Sequence, residues 1–300
     1  MADIIIVGAG TAGLTAAIYA VRGGKSALVL EAVTYGGQIV NTPEIENYPG
    51  LYKVSGFDYA TKLYEQAVDL GADIRFETVK RIEKDENGFK VTTDQDVHEG
   101  KAVILATGAK NRPLGVAREQ ELVGRGISYC ATCDGMFYRG KVTAVAGGGN
   151  TAIEDAQYLA DLCDKVYLIH RRDSFRADVK EVEKLKAKGN VEFVLNANVT
   201  ELVGEPKLSA VRVEDKFTKE VREIPVDGLF VAIGQMPANE AFTNVALVDE
   251  KGYIVSGENC LTNTPGVFTA GDCRTKEVRQ LTTAASDGAV AALAALKFIG

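Results

Sequence analysis

Two cysteines separated by two residues have the clearest chemical potential in this chain. Cys130 and Cys133 flank Ala131 and Thr132, and Asp134 follows directly. Two intervening residues bring two thiols within disulfide range in a helical turn, so that one can attack a disulfide and the other can resolve the product. A neighbouring carboxyl group can carry the proton that this chemistry moves. The pattern predicts a redox-active dithiol made by Cys130 and Cys133, with Asp134 as its proton donor and acceptor.

Zinc binding and a purely structural pair are the alternatives for these cysteines. A zinc site needs about four ligands, usually including a second cysteine pair. The other cysteines, Cys163, Cys260 and Cys273, are isolated, and His98 lies in a polar stretch typical of a loop. We therefore expect no metal, while a buried structural pair stays open. The absence of Trp and the glycine-rich turn that follows argue against a thioredoxin-fold active site.

Composition excludes several classes of function. A net charge of −7 argues against a general nucleic-acid or anionic-membrane binder, because phosphates attract a basic surface. Five sparse cysteines in 300 residues do not form a secreted disulfide framework. We see no signal peptide and no run of roughly 20 apolar residues. The expectation is a cytoplasmic protein without a nucleic-acid or membrane partner.

The chain opens with a strand, turn, helix and strand pattern that is typical of a dinucleotide site. The pattern consists of predicted strands at 3–7 and 26–30, a predicted helix at 14–21 and the turn GAGTAG at 8–13. Gly8 allows the tight turn, Gly10 lets a pyrophosphate approach the backbone, and Gly13 lets the helix pack on the strand. The first turn of the helix offers free N–H groups to the phosphates. Glu31 ends the second strand, where a carboxylate binds ribose hydroxyls and repels a 2′-phosphate, which favours FAD or NAD over NADP.

A second pattern of the same kind follows, with a different ending. It consists of predicted strands at 142–146 and 166–169, a predicted helix at 152–162 and the turn GGGNTA at 147–152. After its second strand come Arg171, Arg172 and Arg176, where the first pattern has one acid. Guanidinium groups are natural partners of a phosphate dianion, so this turn predicts NADPH. A solvated, charged strand end remains the alternative for these arginines, and a glycine-rich turn without ligand remains the alternative for the first pattern.

Two such turns predict two nucleotide-binding domains, because they lie too far apart for a solenoid repeat. A hydride donor beside a second dinucleotide suggests NADPH feeding FAD. Further strands are predicted at 89–93, 103–106, 228–233 and 266–270, and a long, mostly buried helix at 282–299.

These motifs, in this order, resemble the low-molecular-weight thioredoxin reductases over essentially the whole chain. The matching segments are residues 8–13, 36–38, 47–50, 128–135, 147–152, 170–177 and 271–272. The resemblance implies an α/β fold with two Rossmann-like, three-layer domains. It places a discontinuous FAD domain at 1–112 and 245–300, and an inserted NADPH domain with the cysteine pair at 113–244.

The resemblance also implies a mechanism and a set of site residues. NADPH reduces FAD, the flavin reduces the disulfide through Cys133, Cys130 exchanges with a disulfide of thioredoxin or a thioredoxin-like protein, and Asp134 moves the proton. A homodimer is implied as well. The implied FAD residues are Gly8, Gly10, Thr11, Ala12, Gly13, Glu31, Ala32, Gly36, Gly37, Gln38, Asn47, Thr107, Gly108, Gly271, Asp272, Arg279, Gln280 and Leu281. The implied NADPH residues are Gly147, Gly149, Asn150, Thr151, His170, Arg171, Arg172, Arg176, Ile233 and Gly234.

Other functions remain open beside this one. Related architectures oxidise small dithiols, take electrons from ferredoxin or reduce another disulfide partner, and a flavin sensor would not turn over. The arginines argue against a ferredoxin-fed form, and the intact cysteine pair argues against a sensor. Nicotinamide and disulfide must both reach one flavin ring, so we expect the two domains to rotate between half-reactions. Cys273 stands where the family usually has an aliphatic residue, and we expect a small buried side chain there.

Overall fold

The computed structural model describes residues 1–42 and 44–300 and divides the chain into two compact units. The terminal unit is Met1–Lys110 with Met236–Gly300, and the inserted unit is Asn111–Gln235. The two units thus meet at 110/111 and 235/236, whereas the sequence placed the domain boundaries at 112/113 and 244/245. Residues 236–244 belong to the terminal unit because Phe242 lies in its core and Asn239 Nδ2 donates hydrogen bonds to the carbonyls of Gly252 and Cys273, at 2.8 and 2.9 Å.

The first half of the terminal unit begins with the predicted strand, helix and strand. In chain order its elements are β1 (Ala2–Val7), α1 (Thr11–Arg22), β2 (Ala27–Glu31), α2 (Gly56–Asp69), β3 (Asp73–Phe76), β4 (Val79–Lys84), β5 (Phe89–Thr93), β6 (Val97–Leu105) and β7 (Ala109–Asn111). Strands β3, β2, β1 and β6 are parallel neighbours, and β5 and β4 continue the sheet antiparallel. The apolar residues of β1 are buried on both faces of the sheet, as in other parallel sheets.

The inserted unit contains a second parallel sheet and a small antiparallel one. Its elements are α3 (Glu119–Leu122), β8 (Ile127–Ser128), α4 (Ala131–Asp134), β9 (Val142–Gly147), α5 (Asn150–Ala160), β10 (Lys165–His170), α6 (Val179–Lys186), β11 (Val191–Leu195), β12 (Ala197–Val203), β13 (Ala210–Asp215), β14 (Val221–Pro225) and β15 (Gly228–Ala232). The parallel order is β11-β10-β9-β15-β8, and β12-β13-β14 form the antiparallel sheet. The parallel arrangement places the ends of β8, β9, β10 and β15 at one edge, where the predicted site residues of this unit begin.

The chain then returns to the terminal unit. Its last elements are β16 (Gln235–Pro237), β17 (Val267–Thr269) and α7 (Leu281–Ile299). Strand β17 pairs in parallel with β6, and α7 packs with α1 in the same hydrophobic core. Both units thus combine parallel sheets with helices, and the predicted α/β fold is confirmed.

Helix α7 is less buried than expected. Ala291, Ala292 and Ala295 are buried, whereas Leu293 and Phe298 are 55% and 50% exposed. Among the described residues it is the one helix long and apolar enough to cross a membrane by length and composition alone, a test that core helices of soluble proteins also pass. These three buried alanines lie on one face of the helix, so its high apolar content does not lead to burial on all sides.

His98 does not lie in a loop as the polar sequence around it suggested. It belongs to β6 and is buried, with Nε2 2.7 Å from Oε2 of Glu77. The same carboxylate oxygen accepts a hydrogen bond from Thr93 Oγ at 2.7 Å. The strand alternates in burial at this point, so a polar residue turned inward was mistaken for a loop residue.

Candidate functional site

In the turn between β1 and α1, Gly8 and Gly13 have no room for a side chain, whereas Gly10 does. A Cβ on Gly8, whose φ is +107°, would lie 2.4 Å from the carbonyl oxygen of Ala106. A Cβ on Gly13 would lie 1.9 Å from the carbonyl oxygen of Gly8, whereas a Cβ on Gly10 would come no closer than 3.9 Å, to the Gly36 oxygen. Gly8 and Gly13 are therefore needed for packing, and Gly10 leaves space for a ligand beside the backbone.

Helix α1 starts directly at this open space. It begins at Thr11, and in the described structure no side chain caps it at Gly10. Thr11 and Ala12 are buried, so their contribution to a ligand comes from the backbone N–H groups of the first turn. The arrangement suits an anionic group such as a pyrophosphate.

Glu31 is held beside the same turn by backbone hydrogen bonds. Its Oε2 accepts from the N–H of Ala9 at 2.9 Å, and its Oε1 accepts from the N–H of Val33 at 3.0 Å. Ala32, the next predicted residue, is exposed. The carboxylate thus lies at the end of β2 in a fixed orientation, where it can receive hydroxyl donors from a ribose.

Residues 36–38 lie against the first turn. The N–H of Gly36 donates to the carbonyl of Ala9 at 2.7 Å, and a Cβ on Gly37 would lie 3.6 Å from Cα of Gly10. Gln38 Nε2 donates to the carbonyl of Ala109. The structure therefore brings this predicted segment together with the first turn.

Thr107 and Gly108 follow the end of β6. Thr107 Oγ donates to Oδ1 of Asn239 at 2.8 Å, so its hydroxyl serves the packing of the terminal unit. Gly108 has a φ of +67°, and a Cβ there would meet no atom within 4 Å. Of the two predicted residues, Gly108 is the one with open space beside it.

Asp272 has a buried carboxylate oxygen that no described residue binds. Its Oδ1 has no hydrogen-bond partner, and burial raises the pKa of this carboxyl group. The adjacent N–H of Gly271 donates to Oδ2 of Asp287 at 2.9 Å, which fixes the turn. An unpaired buried oxygen is unfavourable, so a ligand hydroxyl is the natural partner here.

The start of α7 completes the predicted set in the terminal unit. Gln280 caps this helix together with Thr283, and its Oε1 accepts from Asn47 Nδ2 at 3.0 Å. Arg279 lies over the ring of Tyr253 at 4.3 Å, and Leu281 begins the helix. The unpaired Asp272 oxygen and the open space beside Gly10 and Gly108 together fit a flavin dinucleotide.

The turn between β9 and α5 repeats the closed and open pattern. A Cβ on Gly147 would lie 2.4 Å from the carbonyl oxygen of Ala232, whereas a Cβ on Gly149 would meet no atom within 4 Å. Helix α5 begins at Asn150 without a side-chain cap at Gly149, in the described part of the chain. Thr151 is exposed beside it. This turn also has room and free N–H groups for a phosphate.

Arg171, Arg172 and Arg176 are exposed in the loop after β10. None of the three guanidinium groups forms an ion pair with another residue among 1–42 and 44–300. The loop is fastened to the glycine turn because the N–H of Arg176 donates to the carbonyl of Gly148 at 2.9 Å. Three unpaired cations thus stand beside an open turn, which fits the additional phosphate of NADPH.

His170 lies beneath the turn and not among the exposed cations. A Cβ on Gly148 would lie 2.1 Å from His170 Cε1, and the imidazole stacks on Phe175 at 5.3 Å. Burial, then the neighbouring arginines, lower the pKa of this imidazole. The ring is therefore neutral and shapes the turn. Ile233 and Gly234 follow β15, and a Cβ on Gly234 would meet no atom within 4 Å.

Cys130 and Cys133 form a disulfide in the inserted unit, with their Cα atoms 5.3 Å apart. Cys130 immediately precedes the short helix α4, and the N–H of Asp134 donates to the carbonyl of Cys130 at 3.1 Å. Burial raises the pKa of the Asp134 carboxyl group. The disulfide and a carboxyl group of raised pKa therefore share one helical turn, and the role of Asp134 in moving a proton stays a prediction.

Ser128 is a site residue that our candidate list lacked. Its Oγ donates to Oδ2 of Asp134 at 2.6 Å and accepts from the N–H of Cys130 at 3.1 Å. The sequence places this serine two positions before the first cysteine, but its hydrogen bonds to Asp134 and Cys130 depend on the orientation of its hydroxyl group. Among the described residues, no group of three or more His, Cys, Asp or Glu side chains could hold a metal ion.

Known proteins resemble the whole chain. The sequence pattern of the pyridine nucleotide-disulphide oxidoreductases matches residues 2–288. A thioredoxin reductase of Listeria monocytogenes is 40% identical over 298 residues, covering 99% of this chain and 93% of that protein. A Clostridium pasteurianum protein described as a 34.2 kDa protein in the rubredoxin operon is 42% identical over 299 residues, covering 99% and 97%.

A solved structure agrees with these relatives. The crystal structure of thioredoxin reductase from Streptococcus pyogenes superposes with a TM-score of 0.95 at 38% identity, covering 99% of this chain and 98% of that one. The chain belongs to the pyridine nucleotide-disulphide oxidoreductase family and, within it, to the thioredoxin reductases.

Proposed function

We propose that this protein reduces a disulfide of thioredoxin with electrons from NADPH, passed through FAD and the Cys130–Cys133 pair. The observation that carries the proposal is the disulfide in a chain with two dinucleotide turns. The strand after the first turn ends in Glu31, and the strand after the second turn is followed by three arginines. The first ending favours FAD and the second favours NADPH. A dithiol in the same chain gives the electrons an exit to a protein partner.

The terminal unit holds FAD in this proposal. The N–H groups of Thr11, Ala12 and Gly13 receive the pyrophosphate beside Gly10, and Glu31 receives ribose hydroxyls. The unpaired oxygen of Asp272 accepts a further hydroxyl of the cofactor. The remaining members of the set are Gly8, Ala32, Gly36, Gly37, Gln38, Asn47, Thr107, Gly108, Gly271, Arg279, Gln280 and Leu281. When bound, the flavin supplies hydride acceptance and transfer of an electron pair.

The inserted unit holds NADPH. Gly149 and the first turn of α5 receive the pyrophosphate, and Arg171, Arg172 and Arg176 receive the 2′-phosphate. Asn150 and Thr151 begin this turn, Ile233 and Gly234 line the end of the neighbouring strand, and His170 supports the turn from below. Among the described residues these arginines form no ion pairs, which leaves their donors for the coenzyme.

The two sulfurs take unequal roles. Cys133 accepts the electron pair, Cys130 exchanges with the partner disulfide, and Asp134 carries a proton. Overall, NADPH and one proton convert a disulfide into two thiols. We further propose that the protein acts as a cytoplasmic homodimer and takes no nucleic acid or membrane as partner.

Purified protein tests the proposal directly. We expect NADPH to bleach the flavin under anaerobic conditions and to support reduction of a bacterial thioredoxin. Cys130→Ser and Cys133→Ser should each lower turnover by about 10³ or more, since neither can form the disulfide. Cys163→Ala is the matched control, because Cys163 is a buried free cysteine of the same unit. Unchanged turnover in either active-pair variant contradicts the proposal.

The serine variants also separate the roles of the two sulfurs. The variant that retains the exchanging thiol should form a stable mixed disulfide with a thioredoxin lacking its resolving cysteine. We expect that product with Cys133→Ser, which keeps Cys130. Formation only with Cys130→Ser would reverse the assignment while leaving the overall activity intact.

A further inference from the structure

The hydroxyl group of Ser128 connects Cys130 with Asp134. Ser128 ends β8 and is 4% exposed. Its Oγ lies 2.6 Å from Oδ2 of Asp134 and 3.3 Å from the carbonyl oxygen of Cys130, and it accepts from the N–H of Cys130 at 3.1 Å. A serine hydroxyl has one proton, and the shorter contact to a carboxylate takes it. One hydroxyl therefore joins the residue that begins the cysteine turn to the residue that ends it.

The two carboxylate oxygens of Asp134 are not equivalent. Oδ2 receives the hydrogen bond from Ser128, whereas Oδ1 is buried and has no partner within the described chain. Burial raises the pKa of this carboxyl group, and the hydrogen bond from Ser128 opposes the increase. Oδ1 is therefore the oxygen left to bind and release a proton.

We propose that Ser128 is a positioning residue for proton transfer at the cysteine pair: it holds Oδ2 of Asp134 so that Oδ1 exchanges the proton. The inference rests on the proposed function, since it requires the pair to alternate between disulfide and dithiol. The geometry that carries it is the short hydrogen bond on one oxygen and the unpaired state of the other.

Reduction of the disulfide requires two electrons and two protons. NADPH supplies a hydride, which carries the two electrons that break the Cys130–Cys133 S–S bond and one of the two protons that the sulfurs take up; the other proton comes from solvent by way of Asp134. Asp134, in its acid form, gives one proton from Oδ1 to the sulfur released as thiolate and becomes a carboxylate. The Ser128 hydroxyl stabilises that carboxylate, and a solvent proton restores the acid.

A purely structural role for Ser128 makes a different prediction. Loss of the hydroxyl would remove its hydrogen bonds to the N–H of Cys130 and to Oδ2 of Asp134. In a purely structural role, this loss would slow the reaction at every pH, and by the same factor with Asp or Asn at position 134. A positioning role acts through Asp134, so its loss should alter the pH dependence and should vanish when Asp134 can no longer titrate.

The experiment uses the holoenzyme with NADPH and a bacterial thioredoxin, followed by anaerobic stopped flow as a function of pH. Ser128→Thr and Ser128→Val form the matched pair, since they share a shape and differ in the hydroxyl. In Ser128→Val and Ser128→Ala, we expect a rate about tenfold lower. We also expect the decline of the rate at high pH to begin about one pH unit higher. Without the donor the carboxylate is less stable, so the pKa of Asp134 rises and its acid form persists to higher pH. Ser128→Thr should retain the wild-type pH dependence.

Asp134→Asn provides the decisive background. It should lower the rate about 10²-fold and remove the decline of the rate at high pH, because an amide cannot carry the proton. Adding Ser128→Val to Asp134→Asn should then cause no further loss. An unshifted decline of the rate at high pH in Ser128→Val, or an undiminished tenfold loss in the Asp134→Asn background, overturns the proposal.

Two controls separate this inference from the proposed function. Anaerobic reduction of the flavin by NADPH should proceed at the wild-type rate in every Ser128 variant, because no disulfide proton is involved. If wild-type protein fails to reduce thioredoxin, or Cys130→Ser remains fully active, the proposed function has failed. If those results hold and only the Ser128 predictions fail, Ser128 has a structural role alone.

Discussion

The two dinucleotide turns share their backbone design and differ in the side chains that follow. In each, the first glycine is closed by the backbone of a neighbouring strand, while the glycine two positions later faces open space. Neither helix has a side-chain cap at that open glycine in the described structure. Both turns can therefore receive a pyrophosphate, and the backbone alone does not distinguish the two ligands.

The distinction lies at the end of the next strand. The carboxylate of Glu31 is already bonded to two backbone N–H groups of its own unit. The guanidinium groups of Arg171, Arg172 and Arg176 form no ion pairs among the described residues and are exposed. A prepositioned acid suits neutral hydroxyl donors, whereas unpaired cations suit a phosphate that brings its own charge. In the proposed function, the choice between the two ligands is thus made outside the glycine turn.

The largest effect is expected at the last residue of each turn, which is Gly13 in the first and Ala152 in the second. Gly13→Ala would place Cβ 1.9 Å from the carbonyl oxygen of Gly8, so the start of α1 must shift. We expect a loss of about 3 kcal/mol in the free energy of unfolding and loss of the flavin. Chemical denaturation and flavin absorbance measure these effects.

The counterpart in the second turn already carries a Cβ. Ala152→Gly should therefore cost only about 1 kcal/mol, the difference in helix propensity, and should retain FAD. Comparable losses in Gly13→Ala and Ala152→Gly would show that the two turns do not differ at this position.

Removing the arginines tests the proposed selectivity. In a variant with Arg171, Arg172 and Arg176 replaced by Ala, kcat/KM for NADPH should fall by about 10² to 10³, because each charged hydrogen bond is worth about 1.5–3 kcal/mol and the three are not additive. The value for NADH should change little. Steady-state kinetics with both coenzymes give the ratio, and an unchanged ratio contradicts the assignment.

Glu31→Gln is the matched change in the other turn. The amide has one acceptor oxygen for the N–H groups of Ala9 and Val33, so one of them loses its partner. We expect weaker flavin retention and an unchanged preference for NADPH. A change in coenzyme preference here would mean that the two sites cannot be assigned separately.

The sequence predicted the parts of the fold in which local signals agree with tertiary packing. The strand at 89–93 and both strand, turn and helix units appear where the apolar runs and glycines placed them. The strands β12, β13 and β14 were missed, because their exposed positions carry many charged residues and only one face is buried. The second boundary was expected at 244/245 and lies at 235/236, because Asn239 and Phe242 join the terminal unit through contacts with residues distant in sequence.

The chemistry of the site was predictable where it depends on spacing, and less so where it depends on orientation. The Cys130–Cys133 disulfide follows from two intervening residues in a turn. The role of Ser128 depends on which way a buried hydroxyl faces, and the packing of His170 against Gly148 depends on the absence of a side chain across the turn. No pattern of residue types encodes these contacts.

His170 gives the smallest expected effect and separates packing from ligand binding in the second turn. Burial and the three arginines lower the pKa of its imidazole in the folded protein below the ordinary value of 6.5. As pH falls through 6.5, the unfolded chain therefore binds a proton that the folded chain does not, and stability declines toward the folded pKa. In His170→Phe this contribution is absent, so its free energy of unfolding should depend less on pH between 5 and about 7. His98 is present in both proteins and cancels in the comparison.

Denaturant unfolding over this range measures the difference between wild type and His170→Phe. A steeper pH dependence in the variant would mean that the folded imidazole is protonated and available to the coenzyme phosphate. A shallower dependence with an unchanged KM for NADPH would instead assign the ring to support of Gly148, leaving recognition of the phosphate to the arginines.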